Sequence, residues 1–222
     1  MADLRVLAKQ RSVGRSADDR WVGLRATRDG APMVAPWFQG LVMEGKVYQA
    51  AADGATNIFT GITLLAFGSY ADTAKSIFVD VPDGTAVLPL ETFFVFFATG
   101  AAIVHGASFV SQALNGTGGT ETLITPRNFY SGGAASGCTA AHTASSEVDN
   151  VDGSEIILAR FHSAPDLDSI AASPHWWFRA GEVQYTPILL DAASINVVAS
   201  PTTSGTGVGH ITYAELAESD VA

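Results

Sequence analysis

Residues 92–120 contain no Lys, Arg, Asp or Glu, and an uncharged stretch of this length belongs either in a membrane or in a protein core. A membrane helix needs about 20 predominantly apolar residues. Gly100, Gly106 and the Asn115-Gly116 pair divide this stretch into pieces of strand length. Short apolar runs of β-forming residues between turn residues are typical of buried strands. We therefore expect two consecutive core strands, with a membrane span as the alternative.

The phenylalanines of the first expected strand lie on both of its faces. Successive side chains of a strand point in opposite directions, so Phe94 and Phe96 share one face, and Phe93 and Phe97 share the other. One face fills the core between two sheets. We expect the other face to be covered by a neighbouring strand, by an N-terminal arm or by another subunit.

Short apolar runs and turn signals continue through most of the chain. About ten strands are expected from residue 37 onward, and no amphipathic helix is longer than two turns. The β and α periods do not alternate, which argues against a parallel α/β fold. The sequence therefore predicts an all-β protein, an antiparallel two-sheet sandwich with a jelly-roll-like strand order over residues 37–222. Residues 1–36 are predicted to form an extended N-terminal arm.

Several local structures are expected within this sandwich. Residues 41–43 are predicted to be a strand, and the Pro82-Asp83-Gly84 sequence is the clearest turn signal. Pro89 is expected to mark a bend or an edge position, because proline cannot donate to a sheet ladder.

The second half of the sandwich is expected to contain one long loop and two strand pairs. Residues 131–150 are small, polar and Gly-rich, and are predicted to form a surface loop. The predicted pairs are 175–179 with 182–190, and 194–199 with 210–217.

Charge is sparse and unevenly distributed. Only 15% of the 222 residues are charged and 47% are hydrophobic, so much of the surface is either uncharged or covered by partners. Residues 1–30 hold seven basic and four acidic side chains, a net charge of +3. Because the whole chain carries −10, the remaining residues carry −13. The arm, with Arg11 and Arg15, is expected to be solvated or to dock on an acidic neighbouring subunit. We expect no specific nucleic-acid recognition, because the acidic body repels phosphate.

The sequence lacks the motifs of the common enzyme classes. There is no phosphate-binding loop, no zinc-protease helix motif and no serine-hydrolase elbow. Cys138 is the only cysteine, which excludes an intrachain disulfide and a cysteine metal site. The five histidines are scattered, and the acidic pairs are more typical of solvated loops. We expect no enzyme activity, no cofactor and no metal, and the N-terminus has no secretory signal.

The cluster His175-Trp176-Trp177-Phe178-Arg179 is the most suggestive binding sequence. Alternation places Trp176 and Phe178 on one face and Trp177 on the other, so at least one tryptophan leaves the core. Exposed aromatic rings beside arginine are typical of sugar-binding or subunit-binding surfaces. The candidate binding or interface residues are Trp176, Trp177, Phe178 and Arg179, together with Arg11 and Arg15 of the arm.

The strand order from residue 41 onward, the turn Pro82-Asp83-Gly84-Thr85 and the closing segments 194–198 and 209–216 resemble single jelly-roll capsid proteins of icosahedral viruses and phages. The resemblance covers residues 37–217. It implies a virion structural protein that is made in the host cytoplasm and self-assembles into trimers or capsomers of a shell.

Partners implied by the resemblance are copies of the chain and other coat proteins. The weakly basic arm departs from the family pattern, and it favours a shell over an inner membrane or over another coat protein. The alternative function is a carbohydrate- or receptor-binding sandwich module, such as a phage-fibre or lectin-like head. A metal-dependent jelly-roll enzyme is a third hypothesis.

Overall fold

A computed structural model describes residues 5–7, 21–23, 37–52, 62–63, 75–97, 104–115, 120–145, 155–163, 175–180, 186–201 and 206–221. These residues contain one short α-helix, one 3-10 turn and many strands. The helix α1 spans Trp37–Met43, and the 3-10 turn spans Glu218–Asp220. The strands are β1 (Arg5–Leu7), β2 (Trp21–Gly23), β3 (Val47–Ala52), β4 (Ile62–Thr63), β5 (Lys75–Val81), β6 (Thr85–Phe97), β7 (Val104–Ser111), β8 (Thr120–Ile124), β9 (Arg127–Asn128), β10 (Thr139–Ser145), β11 (Ile156–Ser163), β12 (His175–Arg179), β13 (Leu189–Leu190), β14 (Ala193–Pro201) and β15 (Thr206–Ala217).

Two antiparallel sheets contain most of these strands, which confirms the predicted all-β, two-sheet fold. The six-stranded sheet has the order β11-β7-β14-β5-β10-β8. The seven-stranded sheet has the order β12-β6-β15-β3-β9, with β13 paired to β6 and β4 paired to β15. Within the predicted arm, β1 pairs antiparallel with β2. Arg11 and Arg15 lie outside the described residues.

The main core lies between the two sheets and follows from side-chain alternation. On β5, for example, Ile77, Val79 and Val81 are buried in one cluster, as period-two burial of a strand face requires. Two tyrosines, Tyr48 and Tyr213, stack within this cluster with ring centroids 5.9 Å apart. Side chains from β3, β5, β6, β10, β14 and β15 therefore close a single apolar interior.

The uncharged stretch 92–120 forms strands, as predicted from its turn residues. It contributes the second half of β6 and all of β7, which lie in opposite sheets. Phe94 is buried in the core, opposite Gly209 of β15. A Cβ atom on Gly209 would lie 2.8 Å from the Phe93 carbonyl oxygen, so glycine is needed for this close approach. No helix in the described ranges is long and apolar enough to cross a membrane.

Part of the outer face of the six-stranded sheet is buried, whereas Leu123 and Ile157 on the same face are exposed. Residues of β5 and β10 that point away from the main core, Phe78 and Ala141, form a second buried cluster. Ala107, Phe109 and Val198 form a third cluster on the same outer face. The expected coverage concerns β6 in the other sheet, where Phe93 is half-buried against His210 and the side chains of Phe96 and Phe97 lie outside the described residues.

The prediction of a strand at residues 41–43 is wrong, because these residues end helix α1. Gly45 has a φ of 68°, its amide donates to the Val42 carbonyl at 2.9 Å, and the Lys46 amide donates to the Leu41 carbonyl at 2.9 Å. This is the Schellman arrangement, in which a left-handed glycine satisfies the last carbonyls of a helix. The helix is fixed on the sheet by a small cluster of Leu41, Val47 and Ala214.

The predicted loop at residues 131–150 is also wrong at residues 139–145, which form β10, while residues 146–150 lie outside the described residues. Ala140 and Ala141 are buried between β5 and β8, so neighbouring strands supply their apolar environment. The small alanine side chains do not themselves indicate a buried strand in the sequence. The predicted turn at residues 82–85 is confirmed, and Gly84 has a φ of 76°.

Among the described residues the two predicted strand pairs do not form, and residues 182–185 of the first pair lie outside them. β12 and β13 both pair with β6 instead of with each other. β14 and β15 lie in opposite sheets. Sequence neighbours thus cross between sheets more often than the turn signals indicated.

The left-handed conformation of Gly45 gives a direct test of the α1 terminus. Gly45→Ala is expected to lower the free energy of unfolding by ~1–2 kcal/mol, because an L-residue is disfavoured at positive φ. The nearest atoms to a Cβ at this position are 3.7 Å away, so the cost is conformational and not steric. The measurement is urea denaturation followed by circular dichroism.

Gly40→Ala is the matched control within the same helix. Nothing lies within 4 Å of a Cβ at Gly40. Alanine there is expected to raise the stability by ~0.5–1 kcal/mol through helix propensity. Equal effects of the two substitutions would contradict the assigned helix terminus.

Candidate binding face

The outer face of the seven-stranded sheet carries two adjacent rows of cross-strand neighbours. The strand register aligns Trp177 of β12, Phe93 of β6 and His210 of β15, which we term the aromatic row. The next aligned positions are Arg179, Glu91, Thr212 and Gln49, on β12, β6, β15 and β3, which we term the polar row. Directly opposed side chains on one sheet face are close enough to interact.

A β-bulge in β6 brings the polar row to this face. β6 has 13 residues and β15 has 12, and Leu90 is the residue of β6 without a partner in β15. The register shifts by one residue here, because Thr212 pairs with Glu91 and the next residue, Tyr213, pairs with Pro89. Leu90 packs against the cluster under α1, while Glu91 joins the polar row. Pro89 therefore marks a bulge inside one continuous strand, where the sequence had indicated a bend or an edge.

The polar row is linked by direct contacts. Arg179 Nε donates to Glu91 Oε1 at 2.7 Å. Gln49 Nε2 donates to Thr212 Oγ1 at 3.2 Å. Because Arg179 and Glu91 are both partly exposed, their ion pair contributes only ~0–1 kcal/mol to stability. Its main effect is to orient two charged groups toward solvent.

The aromatic row presents one open ring and two stacked rings. Trp177 is 41% exposed, and the guanidinium carbon of Arg179 lies 5.2 Å from its ring centroid, within cation–π range. Phe93 and His210 stack with centroids 5.1 Å apart and an interplanar angle of 23°. The two rows are thus connected through Arg179.

His210 forms the second connection between the rows. Its Nε2 lies 3.4 Å from Glu91 Oε2. Burial lowers the pKa of His210, while the Glu91 carboxylate beside it opposes that shift and Arg179 adds to it. The imidazole is therefore favoured in its neutral form, in which one ring nitrogen donates and the other accepts.

A groove of about 720 Å³ lies between helix α1 and the polar row. Leu90 and Val47 form part of its lining beside α1, and Phe129, which follows β9, also lines it. Most lining side chains are apolar, and the polar ones are Gln39, Glu91, Arg179 and Thr212. The groove is thus an amphipathic cleft that adjoins the polar row.

The structure brings together two of the predicted site residues. Trp177 and Arg179 lie in contact on the outer face, whereas Phe178 is only 4% exposed and packs on the inner face. The predicted alternation of Trp177 and Phe178 is confirmed, but Phe178 is not accessible as a binding residue. The backbone of Trp176 pairs with Phe94, and its side chain lies outside the described residues. Arg11 and Arg15 lie entirely outside the described residues.

Three further members of the face, Glu91, His210 and Thr212, were not predicted from the sequence. They are distant in sequence from Trp177 and Arg179 and meet them only through the strand register. Phe93 was noted only as part of an aromatic run. Pro89 was the one local signal near Glu91, since proline in a central strand often accompanies a bulge.

Polar groups in the core serve the fold. Ser136 Oγ lies 2.8 Å from the Tyr213 hydroxyl and donates to Glu215 Oε2 at 2.7 Å, which fixes the segment before β10 on β15. Burial raises the pKa of Cys138 to about 12, so its thiol stays protonated at neutral pH. Among the residues with described positions, no group of three or more His, Cys, Asp or Glu side chains is arranged to hold a metal ion.

No protein-family model, no curated protein and no solved structure matches this chain. The binding face is therefore interpreted from its own contacts and chemistry. Its open tryptophan, its ion pair and its adjoining groove fit recognition of another molecule.

The environment of His210 predicts a specific titration. The imidazole NMR midpoint is expected below that of a histidine in an unfolded chain, and Glu91→Gln is expected to lower it further, because the carboxylate is the group that raises this pKa. Glu121→Gln, in the opposite sheet, is the control and is expected to leave the midpoint unchanged.

The same pKa shift has a definite sign for stability. Because the pKa of His210 is lower in the folded state, the unfolded chain binds a proton more readily. The free energy of unfolding is therefore highest above the pKa of the unfolded histidine, and it falls as the pH drops from there to the pKa of the folded state. His210→Gln is expected to remove this part of the pH dependence. A midpoint at or above that of an unfolded histidine would contradict the described burial.

Proposed function

We propose that this chain is a jelly-roll structural subunit that self-assembles into trimers or capsomers of a virion shell. The observation that carries the proposal is a nested order of strand pairing. It involves eight strands of the two sheets, which are, in chain order, β3, β5, β6, β7, β11, β12, β14 and β15. The first of these eight pairs with the last, the second with the seventh, the third with the sixth and the fourth with the fifth. These pairs are β3 with β15, β5 with β14, β6 with β12 and β7 with β11.

Two further pairings join the nested strands into sheets. β15 pairs with β6, and β14 pairs with β7. The result is one four-strand set in each sheet, β12-β6-β15-β3 and β11-β7-β14-β5, and β10 and β8 extend the second set beyond β5. An eight-stranded double sheet of this kind supports a jelly-roll interpretation, and jelly rolls are frequent in viral capsids and lectins.

One side of the sandwich has the properties of a subunit contact. β11 is the last strand of the six-stranded sheet, β12 is the last strand of the seven-stranded sheet, and these two strands contact each other. Within the described ranges, no further strand pairs along either edge. Exposed edges with large apolar side chains favour association with another chain.

We term this side the edge surface and define it by four exposed side chains. Each is between 41% and 55% exposed in the single chain. They are Ile156 and Ile157 of β11, and Ile188 and Leu190 in and beside β13. Ile157 and Leu190 lie on the outer faces of opposite sheets, so the assigned contact includes both outer faces beside this edge. A second copy of the chain is the partner that the proposal assigns to this surface.

The charge distribution supports assembly from copies of the same chain. The +3 of residues 1–30 complements the −13 of the remainder, so the arm of one subunit is attracted to the body of the next. Other coat proteins and an inner membrane complete the proposed set of partners. The proposed location is the virion, after synthesis in the host cytoplasm.

Assembly is tested by sedimentation velocity and negative-stain microscopy across protein concentration and salt. Ring-, trimer- or shell-sized particles are expected. Ile157→Glu combined with Leu190→Glu is expected to weaken association at least tenfold, because each charge must be desolvated in a closed contact. A wild-type chain that remains a monomer under all conditions would overturn the proposal.

Leu123→Glu is the matched control for the edge surface. Leu123 is 68% exposed on β8, at the opposite edge of the six-stranded sheet. This variant is expected to assemble like the wild type. If Leu123→Glu abolishes assembly while the double variant assembles normally, the assignment of the edge surface is wrong.

A further inference from the structure

We propose that the groove between α1 and the polar row is a binding site for neutral saccharides. This inference deepens the carbohydrate-binding alternative, with which it shares Arg179, but the site is centred on Phe129 and Glu91. It does not depend on assembly, because the edge surface is formed by other side chains. Four features of the groove support it: its size, its fixed walls, its mixed lining and its balanced charge.

The size of the groove matches a small-molecule site. Ligand pockets are typically about 300–1,000 Å³, and the groove volume of about 720 Å³ lies within that range. The groove is bounded by a helix on one side and by the outer face of a sheet on the other. A ligand seated there contacts both elements and loses much of its exposed surface.

Two aromatic rings stand at the groove. Phe38 of α1 is 45% exposed and Phe129 is 51% exposed, and both line the cavity. The C–H faces of a pyranose ring are apolar and pack on such rings, while its hydroxyl groups remain at the edge for hydrogen bonding. Exposed aromatic rings next to polar side chains suit a ligand with both characters.

Backbone and side-chain hydrogen bonds hold the two walls in place. The Phe129 amide donates to the Val47 carbonyl at 2.9 Å. Asn128 Nδ2 donates to the Gly45 carbonyl at 2.8 Å, which ties the Phe129 segment to the C-terminal end of α1. Because these hydrogen bonds lie within the chain and restrict the backbone of both walls, binding orders little additional backbone.

The polar lining provides donors and acceptors for hydroxyl groups. Gln39 supplies an amide, Thr212 a hydroxyl, and Glu91 with Arg179 a carboxylate and a guanidinium. A purely apolar ligand would remove these groups from water without compensating hydrogen bonds, which is unfavourable. A ligand rich in hydroxyl groups replaces the lost water contacts.

Charge balance favours an uncharged ligand. Glu91 and Arg179 neutralise each other at 2.7 Å, so neither presents an uncompensated charge to the groove. The chain as a whole carries a net charge of −10, which repels sialylated and sulfated glycans. Neutral hexose and N-acetylhexosamine oligosaccharides are therefore the chemical class that fits.

The test is a titration of the full-length protein by isothermal calorimetry and by saturation-transfer NMR. The probes are neutral oligosaccharides of glucose, mannose, galactose and N-acetylglucosamine, with sialyllactose and sulfated galactose oligosaccharides as charged counterparts. At least one neutral series is expected to bind, and the charged counterparts are expected to bind at least tenfold more weakly.

Site variants then locate the binding. Phe129→Ala and Glu91→Gln are each expected to weaken binding of the neutral probe at least tenfold, while Tyr130→Ala is expected to leave it unchanged. Tyr130 is 53% exposed and adjacent in sequence, but it does not line the groove. Gln39→Ala, at an exposed helix position, replaces any variant whose circular dichroism shows misfolding.

Three results would overturn the saccharide site. They are no binding by any neutral probe, binding that is unaffected by Phe129→Ala and Glu91→Gln, and tighter binding of the charged counterparts. Sedimentation of the same samples reports on assembly separately. Loss of saccharide binding with normal assembly, or the reverse, therefore distinguishes failure of this inference from failure of the proposed function.

Discussion

The pairing of β6 with β15 is the interaction on which the rest of the structure depends. All 12 residues of β15 pair with β6, and the inner faces of the two strands supply Phe94, Ile211 and Tyr213 to the core. Their outer faces supply parts of both rows of the binding face. The extra residue at the Leu90 bulge is essential, because uninterrupted alternation would turn the Glu91 carboxylate into the core. One ladder thus determines both the interior and the binding face.

Much of the architecture was predictable because strand signals are local. Pro82-Asp83-Gly84 correctly marked a turn between strands, and the apolar runs of 92–120 correctly indicated strands, but Gly106 lies inside β7 and does not divide it. Helix α1 was missed because it has only seven residues and most of them are apolar, so their periodicity does not distinguish helix from strand. β10 was missed because Ala140 and Ala141 gain their apolar environment from strands distant in sequence. The remaining errors concern which strands pair, which short-range signals do not specify.

The binding face was predictable only in the part that lies on one strand. Alternation along β12 correctly separated exposed Trp177 from buried Phe178. Glu91 and His210 join this part through a register that spans most of the chain, and no local pattern encodes that register. The groove is still harder to predict from the sequence, because it also requires helix α1 to pack beside the sheet and Asn128 to hold the second wall.

The nested strand order has a consequence for biosynthesis. β3, the first strand of the sandwich, pairs with β15, the last, and β15 separates β3 from β6 in the finished sheet. While a ribosome is still adding residues 206–217, β3 and β6 therefore lack the strand that joins them. Contacts between such distant segments form slowly, and unpaired aromatic strands aggregate readily. Until β15 is complete, the β3 and β6 edges that it joins therefore stay open to pairing with other chains.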